Sequence, residues 1–196
     1  MKKFEHILWI IVATGLLLKV FRLPFSSLLL ILSLSSLAMV CFFRTRNLFP
    51  ETEQDGRVRK VGLLAGIVLS IGLIGILFKI QLWPMSGLYL LVGSVGIAAL
   101  VVILFTLRSS RPDLSPYIRG LLMRAIPLMV VCIGFYAIPG GTLTAFYYRN
   151  DPELAPLMIQ RNTTSDPKER VQLDLRIDSI HEDRFRLENE QRTSVR

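Results

Sequence analysis

The chain has 196 residues, 52% of them hydrophobic, and its mean hydropathy of +0.49 is well above that of an ordinary soluble domain. Its formal net charge of +8 comes from basic residues that flank the hydrophobic runs, because the tail from Arg149 onward, with nine basic and ten acidic residues, is almost neutral. A nucleic-acid-binding protein would instead cluster its basic residues on one folded face. Composition and charge therefore argue against a soluble domain and against nucleic acid as a partner.

Five membrane-spanning helices are predicted, approximately over residues 4–22, 25–43, 61–80, 85–107 and 120–140. Their apolar runs are almost free of charge, and an ionised side chain at the bilayer centre costs about 2.5–3.5 kcal/mol on insertion scales. A run of about 20 apolar residues is long enough to cross a hydrocarbon core about 30 Å thick. The predicted fold class is an all-α integral membrane protein with two tandem transmembrane helical hairpins, a fifth span and a small polar, partly helical tail.

The basic residues predict the orientation. Lys2 and Lys3 lie next to the N-terminus, and both long loops are rich in arginine, whereas the short turns hold only Lys19, Arg22 and Lys79. The positive-inside rule therefore places the N-terminus and both long loops in the cytoplasm of a multi-pass inner (plasma) membrane protein. The predicted segments are a first hairpin at 1–43, a cytoplasmic loop at 44–60, a second hairpin at 61–107, a second cytoplasmic loop at 108–119, a fifth transmembrane segment at 120–148 and an extracytoplasmic polar tail at 149–196.

The first apolar run follows two lysines, as a secretory signal peptide would, but we interpret it as a retained helix. No small-x-small cleavage motif follows the run, and Lys19, Arg22 and Pro24 occupy the positions where such a motif would stand. We therefore expect this helix to remain part of the membrane bundle.

One pattern occurs twice, sixty positions apart. Leu18-Lys19-Val20 is followed by Pro24, and Phe78-Lys79-Ile80 is followed by Pro84. A repeat of this size indicates one structural unit used twice, here a helical hairpin. The residues that match at this offset are Gly15, Leu17, Lys19, Pro24, Ser26, Leu28, Leu30 and Ala38 with Gly75, Leu77, Lys79, Pro84, Ser86, Leu88, Leu90 and Ala98.

The prolines predict where the second helix of each hairpin begins. Proline is well tolerated at the first position of a helix, where its missing N–H would have no partner in any case. Pro24 and Pro84 are therefore predicted to start these helices, with Ser26, Ser27 and Ser86 as nearby capping residues.

The candidate site consists of the turn residues Lys19, Pro24, Lys79, Trp83 and Pro84. One interpretation is that each lysine extends to the membrane interface and anchors its helix. The other is that both lysines face a shared vestibule and bind an anionic lipid head group or an acidic residue of a partner protein. Anionic head groups are also expected at the basic loops.

The fifth predicted span is interrupted by Pro127, Pro139, Gly140 and Gly141. We expect a complete crossing, which puts the tail outside the cytoplasm. A kink, a re-entrant segment or an early exit would also explain these residues, and would allow a cytoplasmic tail.

The tail carries two helix-start signals. Asp151 before Pro152 predicts a short helix over 151–160, and Asp166 with Glu169 forms a capping-box pattern before a second one. The alternation of apolar and polar residues over 171–177 would suit a strand by period alone, but the capping signal favours a helix. Residues from 188 onward are expected to be disordered.

No catalytic or cofactor-binding pattern is present in the sequence. His6 and His181 lie far apart and outside any ligand-like spacing, and no glycine loop could hold a phosphate. Cys41 and Cys132 lie within apolar runs, where they are expected to pack as small hydrophobic residues. The sequence therefore predicts a protein without a cofactor, a metal or an enzymatic activity.

The segment Leu77-Phe78-Lys79-Ile80-Gln81-Leu82-Trp83-Pro84 resembles the hairpin turn of small membrane proteins of Bacteroidota. Their best-known member is the membrane subunit of the gliding-motility and type IX secretion motor. The resemblance covers 64–103 and, more loosely, 4–43. It implies two-helix units in an inner membrane. It does not carry over proton-driven activity, because the family's turn histidine is replaced here by Leu82 and the following span has no acidic residue.

Two functional hypotheses follow. The first is a non-enzymatic structural or interaction subunit of a membrane complex, which presents its polar tail to a membrane-protein partner or to a second copy of the chain. The second is a transporter or channel for a small solute or ion, built from two repeated hairpins. A membrane-embedded enzyme is a remote third, because no set of acid, base and nucleophile is visible in the apolar runs.

Overall fold

The computed structural model describes residues 2–21, 23, 25–46, 56–83, 85–149, 151–164 and 166–194. Within these residues the chain forms eight α-helices and one short 3-10 turn, Pro112–Leu114, and contains no strand. The helices are α1 (Lys2–Val20), α2 (Ser26–Arg46), α3 (Gly56–Ile80), α4 (Ser86–Ser110), α5 (Ser115–Ala137), α6 (Gly140–Tyr147), α7 (Leu154–Thr163) and α8 (Pro167–Ser194).

Four of these helical stretches are long and apolar enough to cross a membrane, and the all-α membrane fold class is confirmed. They are Ser26–Thr45, Val58–Ile80, Ser86–Ser110 and Pro112–Ala137, with mean hydropathies of 2.2, 2.6, 2.7 and 1.8. The described apolar part of α1, Ile7–Val20, is shorter. A crossing by α1, which the sequence predicts, therefore stays a prediction.

The chain divides into two compact units, Met1–Ala137 and Ile138–Arg196. The first contains α1 to α5 and the second contains α6 to α8. The sequence-based boundary at residue 148 assigned Gly140–Tyr147 to the fifth transmembrane segment, whereas its contacts group this helix with α7.

In the first unit, α3 is the central helix. Each of α1 to α4 packs against the next helix along the chain, and α5 packs against both α3 and α4. The contact between α3 and α4 is close because glycines face one another: a Cβ atom on Gly93 would lie 2.8 Å from the Cα of Gly72. Small residues that let helix backbones approach are a common basis of helix association in membranes.

The outer surface of this unit is apolar. On α4, Val95 and Val102 are 61% and 65% exposed, although Leu100 and Leu104 on the same helix are completely buried. Such exposure would be a liability in water, but in lipid it carries no penalty because acyl chains solvate apolar side chains.

The second unit consists of helices held by buried apolar side chains and by polar contacts. Leu173 and Ile177 of α8 are buried, and the side-chain amide of Asn162 donates to the buried Thr144 hydroxyl at 3.2 Å. The region 171–177 is helical, as the capping signal predicts. The expectation of disorder from residue 188 is wrong, because α8 continues to Ser194.

Candidate functional site at the hairpin turns

The second hairpin turn closes α3 with a Schellman motif. The N–H of Trp83 donates to the carbonyl of Phe78 at 2.9 Å, and the N–H of Leu82 donates to that of Lys79 at 3.2 Å. Leu82 adopts the left-handed conformation that this motif requires, with φ of 57°. Glycine is the usual residue at this position, and a side chain such as that of leucine costs about 1–2 kcal/mol there.

The first hairpin turn has matching hydrogen bonds. The N–H of Leu23 donates to the carbonyl of Leu18 at 3.0 Å, sixty positions before the bond from Trp83 to Phe78. Phe25 and Met85, which match at the same offset, have φ of 66° and 63°.

The prediction that proline starts the second helix of each hairpin is wrong. Helices α2 and α4 begin at Ser26 and Ser86, two residues after Pro24 and Pro84, because Phe25 and Met85 have left-handed backbones that are not helical. Pro24 and Pro84 themselves lie outside the described residues. Position 85 is the N-cap of α4, where no side chain makes a capping hydrogen bond.

Lys19 links the two hairpins. Its ammonium group donates to Ser27 Oγ at 2.7 Å, within its own hairpin, and to Gln81 Oε1 at 2.8 Å, in the turn of the other hairpin. Gln81 Nε2 in turn donates to the carbonyl of Ser27 at 3.0 Å. These three residues form a closed hydrogen-bonded triangle, which we call the inter-turn triangle.

The inter-turn triangle is partly buried, so its hydrogen bonds matter more than they would on a wet surface. A polar group withdrawn from water costs free energy unless it is hydrogen-bonded. Here the ammonium, the hydroxyl, the amide and a backbone carbonyl satisfy one another, which stabilises the pairing of the two turns.

Lys79 occupies a different environment from Lys19, although the two match in sequence. Lys79 is only 8% exposed, and among the described residues it makes no hydrogen bond or ion pair. The residues that match Ser27 and Gln81 at the sixty-residue offset explain the difference: they are Gly87, which has no hydroxyl, and Phe21, which has no amide.

Trp83 belongs to an aromatic group at the second turn. Its ring is 5.0 Å from that of Phe78, which lies 4.9 Å from Tyr89, and both pairs meet edge to face. Trp83 is 40% exposed. Tryptophan and tyrosine are enriched at the membrane–water interface, so this group fits the end of a transmembrane hairpin.

Of the five predicted site residues, the structure thus places Lys19 in a defined polar contact, Lys79 in a buried position and Trp83 in an aromatic group. The residues that the sequence did not predict as site members are Ser27, named there only as a capping residue, and Gln81. The repeat contains a signal that could have predicted both residues. In each of the matched pairs Ser27/Gly87 and Phe21/Gln81, the residue of one copy is polar and that of the other copy is not.

The two cysteines lie apart from this site. Cys132 is buried, and its Sγ is 3.7 Å from the carbonyl oxygen of Gly72, which suits a small packing residue. Cys41 is partly buried. Over the described parts of the chain, no three His, Cys, Asp or Glu residues come together in a metal-binding arrangement.

In the second unit, Arg184 joins α8 to the segment that precedes α7. Its guanidinium forms a two-point ion pair with Asp151, with Nη2 2.8 Å from Oδ1, and also contacts Glu153 at 3.4 Å. The hydrogen bond from Arg184 lowers the pKa of Asp151, and the same bond raises the pKa of Arg184. Asp151 also accepts a hydrogen bond from the N–H of Leu154 at 3.2 Å. It is not the N-cap, because α7 begins at Leu154 with Glu153 in that position, so the helix predicted over 151–160 lies at Leu154–Thr163.

Glu169 ties the start of α8 to α7. Its carboxylate accepts hydrogen bonds from Thr164 Oγ1 and from Gln160 Nε2, the latter at 2.9 Å, and these two bonds lower the pKa of Glu169. A capping box would instead direct this side chain back to the N-cap backbone. The carboxylate thus makes an inter-helix contact.

Comparison of the chain with protein families, with curated proteins and with solved structures finds no match. The resemblance of its hairpin to the motor subunit of Bacteroidota therefore stays a prediction, and functional inference depends on the sequence and the geometry.

Proposed function

We propose that this protein is a non-enzymatic structural or interaction subunit of a membrane complex, which presents its helical tail to a partner. The observation that carries the proposal is an exposed apolar face on an otherwise charged helix of the second unit. Val171, Leu175 and Phe185 of α8 are 59%, 65% and 66% exposed. Leu175 follows Val171 by about one turn and Phe185 follows Val171 by about four turns, given 3.6 residues per turn. All three therefore lie on one side of the helix. We call these three residues the outer face of α8.

The chemistry of the outer face indicates the kind of partner. The buried Leu173 and Ile177 lie on the opposite side of α8, so the outer face is not needed for packing within the unit. The exposed acidic residues Asp178 and Glu182 lie between its apolar members. A surface with apolar and basic residues would complement it.

The test of this proposal is recovery of the intact chain, with bound proteins, after cross-linking in native membranes. Deleting 149–196 is expected to abolish recovery of the partner while the truncated chain still inserts. Leu175→Ala/Phe185→Ala is expected to reduce recovery about tenfold or more, since the few residues that dominate an interface each cost about 2 kcal/mol or more when truncated to alanine. The matched control, Gln172→Ala/Arg176→Ala, changes exposed residues on another side of α8 and should have no effect. Unchanged partner recovery by the deletion variant would refute the proposal.

We also propose an inner-membrane location with the N-terminus in the cytoplasm. Arg59, Lys60, Arg108 and Arg119 are exposed at the end of the bundle where α3 and α5 begin and α4 ends. The hairpin turns, at the other end, carry Lys19, which is engaged within the protein. This asymmetry supports a cytoplasmic location for the basic end of the bundle. Anionic lipid head groups would bind to the exposed basic residues there.

The matching turns support the hypothesis that the two hairpins are copies of one unit. Their hydrogen bonds and their left-handed residues occur at the same offset as the sequence repeat. A common origin with the two-helix units of the Bacteroidota motor subunit is a further proposal, supported only by the turn residues.

A small-solute transporter is the second candidate. The observation in its favour is the interruption at Ile138 and Pro139, between α5 and α6, since discontinuous helices recur in transporters. Flux into reconstituted liposomes that is lost in Lys19→Ala would support this candidate, and silent liposomes over a broad panel of solutes would argue against it.

A further inference from the structure

Two features of the second hairpin turn favour an anion. Lys79 is buried and, in the part of the chain that the structure describes, makes no hydrogen bond or ion pair. Helix α4 begins at Ser86, and its N-cap residue, Met85, provides no side-chain hydrogen bond. The first N–H groups of a helix have no partner within the helix, and the positive end of the helix dipole attracts negative charge. One anionic group would satisfy both the lysine and the uncapped helix start.

The packing of α3 against α4 brings these two features together. A Cβ atom on Gly75 would lie 2.9 Å from the backbone nitrogen of Leu90, so these two residues meet at the interface. Residues four apart lie on the same face of a helix, and the two helices of a hairpin run in opposite directions. Lys79 follows Gly75 by four residues, and Ser86 precedes Leu90 by four. Lys79 is therefore the residue of α3 that lies opposite the start of α4.

The first hairpin shows where a lysine at this position places its ammonium group. Lys19 Nζ donates to Ser27 Oγ at 2.7 Å, and Ser27 is the second residue of α2. The second residue of α4 is Gly87, which matches Ser27 in the repeat but has no hydroxyl. A Cβ atom on Gly87 would meet no atom within 4 Å. There is thus room for an oxygen atom of a ligand where the first hairpin has its hydroxyl.

Helices α2 to α5 contain no carboxylate side chain. No Asp or Glu occurs in residues 6–50, 56–112 or 114–150, and these ranges include both hairpin turns. A buried charge is costly unless it is paired. Ionisable residues within transmembrane segments usually pair with another polar group or mark a binding site. An anion for Lys79 therefore comes from outside these helices.

We propose that Lys79 and the start of α4 bind the phosphate of an anionic phospholipid, in the leaflet that surrounds the hairpin turns. The candidate spans Val58–Ile80 and Ser86–Ser110 end and begin at this turn. Trp83 and Tyr89 belong to its aromatic group, and such residues are enriched at the level of the lipid head groups. Helix N-termini and lysine side chains both bind phosphate groups in proteins.

The surface next to this site suits an acyl chain. Leu91 and Val95 follow Gly87 by about one and two turns of α4, and both are exposed. A phospholipid whose phosphate lies at the start of α4 would extend an acyl chain along them, since α4 runs from the turn into the apolar span. A free phosphate ion would make no contact with this surface, and a carboxylate of a partner protein would have to displace the lipid around α4. The geometry therefore favours a phospholipid.

Native mass spectrometry of the intact, detergent-purified chain tests the proposal with phosphatidylglycerol and phosphatidylcholine of identical acyl chains. The wild type should retain phosphatidylglycerol more tightly. Lys79→Met keeps the length of the buried side chain but removes its charge. It should weaken retention of phosphatidylglycerol about fivefold, which corresponds to about 1 kcal/mol for one basic residue at an acidic head group.

The matched control is Lys60→Met, which removes the same charge from an exposed position at the other end of α3. An exposed charge contributes little to a specific contact, so this variant should hold its most tightly bound phospholipid as the wild type does.

A second pair of variants tests the start of α4 with the lysine intact. Gly87→Leu fills the open space beside the first N–H groups of α4 and should also weaken retention of phosphatidylglycerol. Gly134→Leu adds the same side chain at an exposed position on α5, where a Cβ atom would likewise meet nothing within 4 Å. This control should leave retention unchanged.

Each of four results would overturn the proposal. In two of them, Lys79→Met or Gly87→Leu retains phosphatidylglycerol as its control does. In the third, the wild type retains the two phospholipids equally. In the fourth, inorganic phosphate competes with phosphatidylglycerol at equal concentration, which would indicate a free-anion site. Loss of a cross-linked protein from Lys79→Met in native membranes, with lipid retention unchanged, would identify a protein carboxylate as the ligand. The lipid measurements do not depend on the tail or its partner.

Discussion

Lys19 and Lys79 show how one residue type in one repeated pattern acquires two environments. The lysines match in sequence, but only Lys19 meets a hydroxyl and an amide, from Ser27 and Gln81. Lys79 has Gly87 at the position that matches Ser27. The polar link between the hairpins therefore depends on the positions at which the copies differ.

Replacing Gln81 tests this link. Gln81→Ala removes the acceptor of Lys19 and the donor to the carbonyl of Ser27, so we expect the free energy of unfolding to fall by about 1–2 kcal/mol. Reversible unfolding in mixed micelles measures the change. Ser86→Ala is the control, because this serine lies at the start of α4 but its hydroxyl makes no capping bond. Equal stability of the two variants would show that the inter-turn triangle contributes nothing.

Gly87→Ser offers Lys79 the hydroxyl that Lys19 already has. A Cβ atom at Gly87 would have no atom within 4 Å, so the substitution fits. Gly87→Ala is the matched control, since it supplies the same Cβ and a higher helix propensity, by about 0.5 kcal/mol. We expect Gly87→Ser to be at least as stable as Gly87→Ala in the same assay, because a new hydrogen bond contributes about 1 kcal/mol. A serine variant less stable than the alanine variant would contradict the expectation.

At the scale of helices, the sequence predicts most of what the structure contains. The five apolar helices lie within a few residues of their expected positions, because charge-free runs of this length have few alternatives. The sequence predicts the starts of the second helices at Pro24 and Pro84, which is two residues too early. The left-handed backbone at Phe25 and Met85 is set by the geometry of the turn and not by local propensity. The contact from Lys19 to Gln81 could not be predicted either, because it depends on which hairpins lie side by side.

The close contact between α3 and α4 makes a prediction about glycine. Gly93→Ala would place a Cβ 2.8 Å from the Gly72 backbone, so the helices must separate, and we expect a loss of about 1–3 kcal/mol. Gly134→Ala is the control, because its Cβ would meet nothing within 4 Å. The comparison uses unfolding in micelles. If both variants are equally stable, the packing of α3 on α4 is not limited by these glycines.

The tail helices make a prediction about pH. The pKa of Asp151 is lowered by Arg184, so the ion pair stabilises the second unit above the ordinary pKa of an aspartate and loses this effect as the pH falls through the lowered value. Hydrogen-exchange protection of α7 and α8 should therefore differ between the wild type and Arg184→Ala at neutral pH. The difference should diminish as the pH falls through the lowered pKa of Asp151, because its carboxylate then becomes protonated. A difference that persists below that pKa would assign another role to Arg184.

At the scale of the whole molecule, the chain combines an apolar unit suited to lipid with a polar unit whose outer face of α8 is proposed to bind a partner. The apolar exposure of α4 fits a membrane as solvent. The mixed apolar and acidic outer face of α8 is suited to an aqueous compartment. The function of each unit therefore depends on how the chain is threaded through the bilayer.

Topology-reporter fusions at residues 50, 82, 113 and 160 test this threading most directly. The account predicts that reporters at 50 and 113 are cytoplasmic, and that reporters at 82 and 160 are on the other side of the membrane. A reporter at 82 on the same side as the one at 50 would contradict the central claim, because α3 would then not cross the bilayer.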